Sequence, residues 1–392
     1  MAFRGGGGRR FNNRYSNSRG GGGHSDRHSQ HPSNFQFSAP QTPNTRQSFP
    51  RSNKPQVCLN FQQGACTNSP CTYQHQYSFK NEIGRLQQIS TPTPVFASTI
   101  IQNSQISVAL QGRIAIFDIK SGACVAEFQI QGRTKVLFYS EDFGHIFFGG
   151  DTMGRQLLGG ISSAGVTFNF AVVHNGGVNC LIVRKGLIFA GGDDGKVTVW
   201  YFNGQSFEFG TQLDLDPSIQ SQIFCLELVK NMIFAGLGNG CVVAWEYNFE
   251  TNQSCWKGNL TLCHKGKVSC LTNLADAYLF SGGEDGIINC WDSNSDYQGG
   301  TLLNATKTKP VQVTTMLISE NSVSPYLLLG TNQGKILWYS LQGSEAKFMQ
   351  PLAYHRKSVT SLLKFEGLEG FSGFISTSID PLIHVSNWNM AY

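Results

Sequence analysis

An all-β chain folded as a β-propeller of seven blades, or six if one copy is irregular, is predicted by three observations. A glycine followed five residues later by an aromatic recurs at Gly112/Phe117, Gly195/Trp200, Gly240/Trp245, Gly286/Trp291 and Gly334/Tyr339, and Gly154 and Pro381 fill the same slot in two weaker copies. The steps between these anchors are 42, 41, 45, 46, 48 and 47 residues, near the roughly 40–45 residues of one four-stranded blade. An alternating β-rich run precedes the turn, seen in Leu187 to Gly192, Met232 to Gly236 and Leu279 to Gly283.

Ahead of the repeats stand two further elements. Residues 1–55 hold nine Arg or Lys and one acid, Asp26, a net of +8, whereas the rest of the 392-residue chain holds 21 basic and 24 acidic residues, a net of −3. This segment is rich in Gly, Arg, Asn, Ser, Gln and Pro and nearly free of aliphatic side chains, so it is expected to be a disordered basic tail. Arg4 and Arg19 each precede four glycines, and Arg9, Arg10 and Arg14 lie between them. Arginine pairs with phosphate and stacks on bases, so a polyanionic partner is expected here.

Residues 56–80 carry Cys58, Cys66, Cys71 and His75 in a C-x7-C-x4-C-x3-H spacing. Three thiolates and an imidazole complete a tetrahedral Zn2+ shell with no open position, which fits one structural ion rather than metal catalysis. A segment this short has almost no core, so its folding should depend on the metal.

The propeller is assigned to residues 84–392. Its departures from regularity are specific. Gly154 to Gly160 lacks the closing aromatic, Trp338 precedes the slot that Tyr339 fills, and in the last copy that slot is Ser386, with Trp388 two residues on. Four residues follow Trp388, too few for another strand, so Arg85 to Ser90 is expected to supply the last blade's fourth strand and remove an exposed edge.

The short cysteine segment resembles the CCCH zinc finger, including the aromatics Phe61 and Tyr73 and the turn glycine Gly64. The repeats resemble WD40 repeats, with Asp194 and Asp285 at the turn aspartate, His174 and His264 at the blade starts, and Trp200 and Trp291 closing the third strand. Together the chain looks like the CCCH zinc finger/WD40-repeat proteins best known from plants. That resemblance implies single-stranded RNA stacked on Phe61 and Tyr73, and a structural hydrogen bond from the His–Asp pairs to the closing Trp. The tail resembles RGG-type RNA-binding arms, so Arg4, Arg9, Arg10, Arg14 and Arg19 are candidate RNA contacts.

Two functions follow. One is an RNA-binding adaptor in which finger and tail take single-stranded RNA while the propeller face holds a protein partner. The other is a protein-interaction scaffold in which the finger is structural and no nucleic acid is bound; Gln56 to Phe79 contains no Lys, Arg, Asp or Glu, which favours it. An enzyme is not expected: there is no G-x-x-x-x-G-K-[ST], H-E-x-x-H or G-x-S-x-G motif, and no small-molecule substrate is evident. No apolar run approaches the roughly 20 residues that span a bilayer, no secretory leader opens the chain, and the eleven Cys are an odd number. An intracellular, reduced protein is expected, with nuclear residence preferred over cytoplasmic.

Overall fold

Each glycine turn joins the second and third strands of a four-stranded antiparallel sheet. The structure, a computed structural model, describes residues 85–293, 297–304, 311–319, 325–342, 345–352, 354–368 and 371–388. The tail and finger residues therefore lie outside the described ones. No α-helix occurs among the described residues.

Strand β1 (Arg85–Ser90) opens the fold. Blade 1 follows as β2 (Ala97–Ile101), β3 (Gln105–Leu110), β4 (Arg113–Asp118) and β5 (Cys124–Gln129). Blade 2 is β6 (Arg133–Ser140), β7 (His145–Thr152), β8 (Arg155–Ile161) and β9 (Thr167–Asn169). Blade 3 is β10 (Val178–Arg184), β11 (Leu187–Gly192), β12 (Lys196–Phe202) and β13 (Phe207–Asp214). Blade 4 is β14 (Ile223–Val229), β15 (Met232–Leu237), β16 (Val242–Asn248) and β17 (Gln253–Asn259). Blade 5 is β18 (Val268–Leu274), β19 (Tyr278–Gly283), β20 (Ile287–Asp292) and β21 (Gln298–Asn304). Blade 6 is β22 (Val313–Ser319), β23 (Tyr326–Thr331), β24 (Ile336–Gln342) and β25 (Glu345–Leu352). Blade 7 joins β26 (Val359–Leu368), β27 (Phe371–Ser378) and β28 (Leu382–Asn387) to β1.

The blade count is seven. The first strands of successive blades touch in order, and β26 touches β2, so the ring closes. Closure occurs as the sequence leads one to expect, with β1 antiparallel to β28 from Arg85↔Ser386 to Ser90↔Leu382. This gives blade 7 the same four-stranded order as the other blades, with β1 as its outer strand.

Blade 2 is complete despite its missing aromatic. Ile161 pairs with Ile146 where Trp200 pairs with Ile188, and it packs toward blade 1 as Trp200 packs toward blade 2. On the other face, toward blade 3, a Cβ at Gly160 would run into the Phe168 ring of the outer strand. Phe147, Phe168, Phe170 and Phe207 meet there at ring centroid distances of 5.2–6.4 Å. In blade 6, Tyr339 pairs with Leu327 in the regular slot and packs toward blade 5, while Trp338 packs toward blade 7; both are buried.

The core lies between blades. On five second strands a glycine (Gly149, Gly191, Gly236, Gly282, Gly330) takes the first-strand Val or Ile of the next blade; a Cβ would come within 2.6–2.9 Å of Val178, Ile223, Val268, Val313 and Val359 respectively. That near-contact explains the glycine at each of these five positions. Bulges recur as well. Six first strands skip one residue: Lys135, Asn179, Phe224, Ser269, Thr314 and Thr360. A bulge re-aims the skipped side chain, and three of these stitch adjacent blades: Lys135 Nζ donates to Asn179 Oδ1 (2.9 Å), Asn179 Nδ2 to the Ile223 carbonyl (3.0 Å) and Thr314 Oγ1 to that of Val359 (2.7 Å).

Candidate functional site

The β11–β12 turn, Asp193-Asp194-Gly195, sets up the most elaborate polar cluster. Gly195 sits at φ +75°, a left-handed conformation that suits glycine. Asp194 Oδ1 faces His174 Nδ1 at 2.9 Å, and its Oδ2 accepts from the Asn175 N–H at 3.0 Å. His174 Nε2 lies 2.9 Å from Thr198 Oγ1, which accepts from Trp200 Nε1 at 3.0 Å. A carboxylate on Nδ1 assigns the proton to that nitrogen, leaving Nε2 to accept from the threonine hydroxyl. Burial alone would raise Asp194, but hydrogen bonds from His174, Asn175 and Lys196 outweigh it and hold the carboxyl below its ordinary value.

Blade 5 repeats the pattern with one change. His264 Nδ1 faces Asp285 Oδ1 at 2.9 Å and its Nε2 lies 2.7 Å from Ser281 Oγ. Asp285 is likewise held low: burial pushes it up, and hydrogen bonds from Lys265, His264 and Ile287 more than reverse this. The chain does not extend to tryptophan, however. Asn289 occupies the place of Thr198, and the buried Trp291 Nε1 has no acceptor. The expected bond to the closing Trp thus forms in blade 3 and not in blade 5.

A third cluster escaped the sequence reading. His355 Nδ1 faces Asp380 Oδ1 at 2.9 Å, and its Nε2 faces Ser376 Oγ at 2.9 Å. Its signal was present, since Asp380 directly precedes Pro381 as Asp194 precedes Gly195. In blades 5 and 7 the order Asp–His–Ser matches that of a nucleophilic triad, yet Ser281 and Ser376 are both 0% exposed. A substrate carbonyl has no approach to either Oγ, so these clusters brace turns.

Blade 4 lacks the histidine. Leu215 to Gln222, the segment joining β13 to β14, contains none, and there a groove of about 490 Å³ opens. Its walls are the blade 3 turn and this segment. Its lining includes Asp193, Asp194, Asp214 and Asp216 and one lysine, Lys196, which pairs with Asp214 at 3.8 Å, while Leu215, Pro217 and Ile219 supply apolar surface. Asp193 is fixed by the Gly177 N–H (3.1 Å), Asn179 Nδ2 (2.8 Å) and Lys135 Nζ (3.6 Å), the last also bound to Asp151 (3.2 Å). The Ser218 hydroxyl and N–H hold Asp216 below the usual carboxylate range. The groove is therefore anionic at neutral pH.

Residues 257–292 match the family model of the WD domain, G-beta repeat. The matched stretch runs from the outer strand of blade 4 through the third strand of blade 5 and contains His264, Ser281, Asp285 and Trp291. The chain has no match among curated proteins. The sequence-predicted zinc ligands Cys58, Cys66, Cys71 and His75, and the candidate RNA contacts Phe61, Tyr73, Arg4, Arg9, Arg10, Arg14 and Arg19, lie outside the described residues. Among the described residues no group of three or more His, Cys, Asp or Glu could hold a metal ion, and no helix is long and apolar enough to cross a membrane.

Proposed function

We propose that this chain is a protein-interaction scaffold whose propeller receives a positively charged segment of a partner protein in the groove between blades 3 and 4. The observation that carries this reading is the groove's lining, four aspartates and one lysine next to three apolar residues, with Asp214 and Asp216 free of any buried partner among the described residues. Lys or Arg heads would meet the carboxylates while their methylene stems cover Leu215 and Ile219. Such a site gains on-rate and partner choice from charge complementarity.

The RNA-adaptor reading draws on residues 1–80 and gains no support from this groove, whose charge repels a phosphate backbone. Cys58, Cys66, Cys71 and His75 fit a structural Zn2+ by donor set and spacing. In the scaffold reading that ion holds the finger together without a nucleic-acid role.

The test is fluorescence anisotropy on the full chain with a labelled Lys/Arg-rich peptide and, separately, a labelled single-stranded RNA. Reversing Asp214 and Asp216 to Lys should weaken peptide binding by about tenfold or more. Unchanged peptide binding in that variant would defeat the groove assignment. Tight, salt-sensitive RNA binding by the wild-type chain would restore the adaptor.

A further inference from the structure

Blade 4 carries a second unusual feature, independent of the groove. The first residue of the third strand or its lead-in, directly after the turn glycine, forms a cross-strand ion pair in two other blades: Arg113 with Glu127 at 3.4 Å and Lys196 with Asp214 at 3.8 Å. In blade 4 that slot is Cys241, after Gly240, and what it meets is another thiol. Cys241 Sγ and Cys263 Sγ are 3.0 Å apart, although 22 positions separate them in sequence.

The backbone holds them there. The Leu260 N–H donates to the Val242 carbonyl and the His264 N–H to that of Gly240, both at 2.8 Å, bracketing the pair on both sides. Closing the gap to the roughly 2.05 Å of an S–S bond asks for only a small side-chain rotation. Cys263 is exposed and Cys241 partly so, which gives a small oxidant access. We propose that Cys241 and Cys263 form a reversible dithiol/disulfide site, oxidised by a peroxide and reduced by a small thiol such as glutathione.

The chemistry balances. The Cys263 thiolate attacks one oxygen of hydrogen peroxide, the O–O bond breaks, and the departing hydroxide takes the proton released by the thiol to become water. The resulting sulfenic acid is then attacked by the Cys241 sulfur. The S–O bond breaks, and hydroxide leaves with the Cys241 proton as a second water. Two thiols have lost two electrons to the peroxide. Reduction runs through a mixed disulfide and consumes two glutathione thiols, yielding glutathione disulfide.

The order follows from the surroundings. Burial, with the sulfur of Cys263 beside it, pushes Cys241 up to about 11, so it keeps its proton while the exposed Cys263 reacts first. The buried and half-buried cysteines of the strands differ: burial raises Cys270 and Cys290 to about 12 and Cys180 and Cys225 well above their usual value, which leaves them inert.

The test is peptide mapping of the full chain after graded hydrogen peroxide and alkylation of the remaining thiols. A linked Cys241–Cys263 peptide should form at peroxide concentrations about tenfold below those that oxidise the exposed Cys124 and Cys255, and glutathione should remove it. Cys241→Ser should leave Cys263 as a sulfenic acid trapped by dimedone, with unchanged circular dichroism. Oxidation of Cys124 or Cys255 first, absence of the linked peptide in the wild-type chain, or no dimedone adduct on Cys263 in the folded variant would overturn the proposal.

Discussion

His355 and Asp380 meet at 2.9 Å across 25 positions of sequence, in the blade that joins the two ends of the ring. The same carboxylate accepts from the Arg356 N–H at 2.7 Å, so one aspartate secures both a histidine and its neighbouring backbone. Truncating His355→Ala leaves Ser376 Oγ and Asp380 Oδ1 buried with a partner removed. The expected cost is about 1–3 kcal/mol, read as a lower urea midpoint at unchanged m. A cost near zero would mean that the last blade is not held through this pair.

The depressed carboxylates set the acid limb of the stability curve. Asp194 and Asp285 lie below the unfolded value of 3.8 in the folded protein. A depressed carboxylate stabilises fully above its unfolded pKa and loses that stabilisation as pH falls through the folded one. Urea midpoints should therefore hold steady as pH drops from neutral toward the unfolded value and decline below it. Asp194→Asn with Asp285→Asn should flatten that decline while lowering the midpoint at pH 7. An acid limb of undiminished slope in the double variant would refute the assignment.

What could be read in the sequence was whatever the repeat imposes locally. Glycine turns and closing aromatics need fixed spacing, so Gly195/Trp200 and Gly286/Trp291 announced their blades, and Arg85 to Ser90 was the segment available to close the ring. His355–Asp380 was harder to see because Pro381 stands in the glycine slot and the separation is 25 positions, against 20 and 21 for the other two pairs. The groove could not be read at all. It is formed by the segment Leu215 to Gln222 beside the blade 3 turn, parts some twenty positions apart that no single motif links. The Cys241/Cys263 contact depends on cross-strand alignment at a loop, where spacing alone does not fix register.

Interblade glycines should be the least tolerant positions of the ring. A Cβ at Gly236 would lie 2.6 Å from Val268 Cγ1 of the next blade. Gly236→Ala is expected to cost about 1–3 kcal/mol by overpacking. Gly186 is the control: its φ is +73° and no atom lies within 4 Å of a new Cβ, so Gly186→Ala carries backbone strain alone, about 1–2 kcal/mol. Trimming the neighbour separates the two causes. Val268→Ala should rescue part of the loss in the Gly236→Ala background, whereas it should add to that of Gly186→Ala.

The unpaired indole in blade 5 predicts a stabilising substitution. Trp200 Nε1 reaches Thr198 Oγ1 at 3.0 Å, but Trp291 Nε1, equally buried, has no acceptor because Asn289 fills the threonine's place. Asn289→Thr puts a hydroxyl oxygen two residues before the tryptophan on the same strand, as in blade 3. His264 keeps Ser281 Oγ as its Nε2 partner at 2.7 Å, so the new hydroxyl is left for the indole. Satisfying one buried donor is worth about 0.5–1.5 kcal/mol, which should appear as a higher melting temperature and slower exchange of the indole N–H of Trp291. Serine at the same position supplies the oxygen without the methyl and should give a smaller gain in the same direction. Destabilisation by both substitutions would mean that Asn289 contributes more through its own contacts than the indole loses by lacking an acceptor.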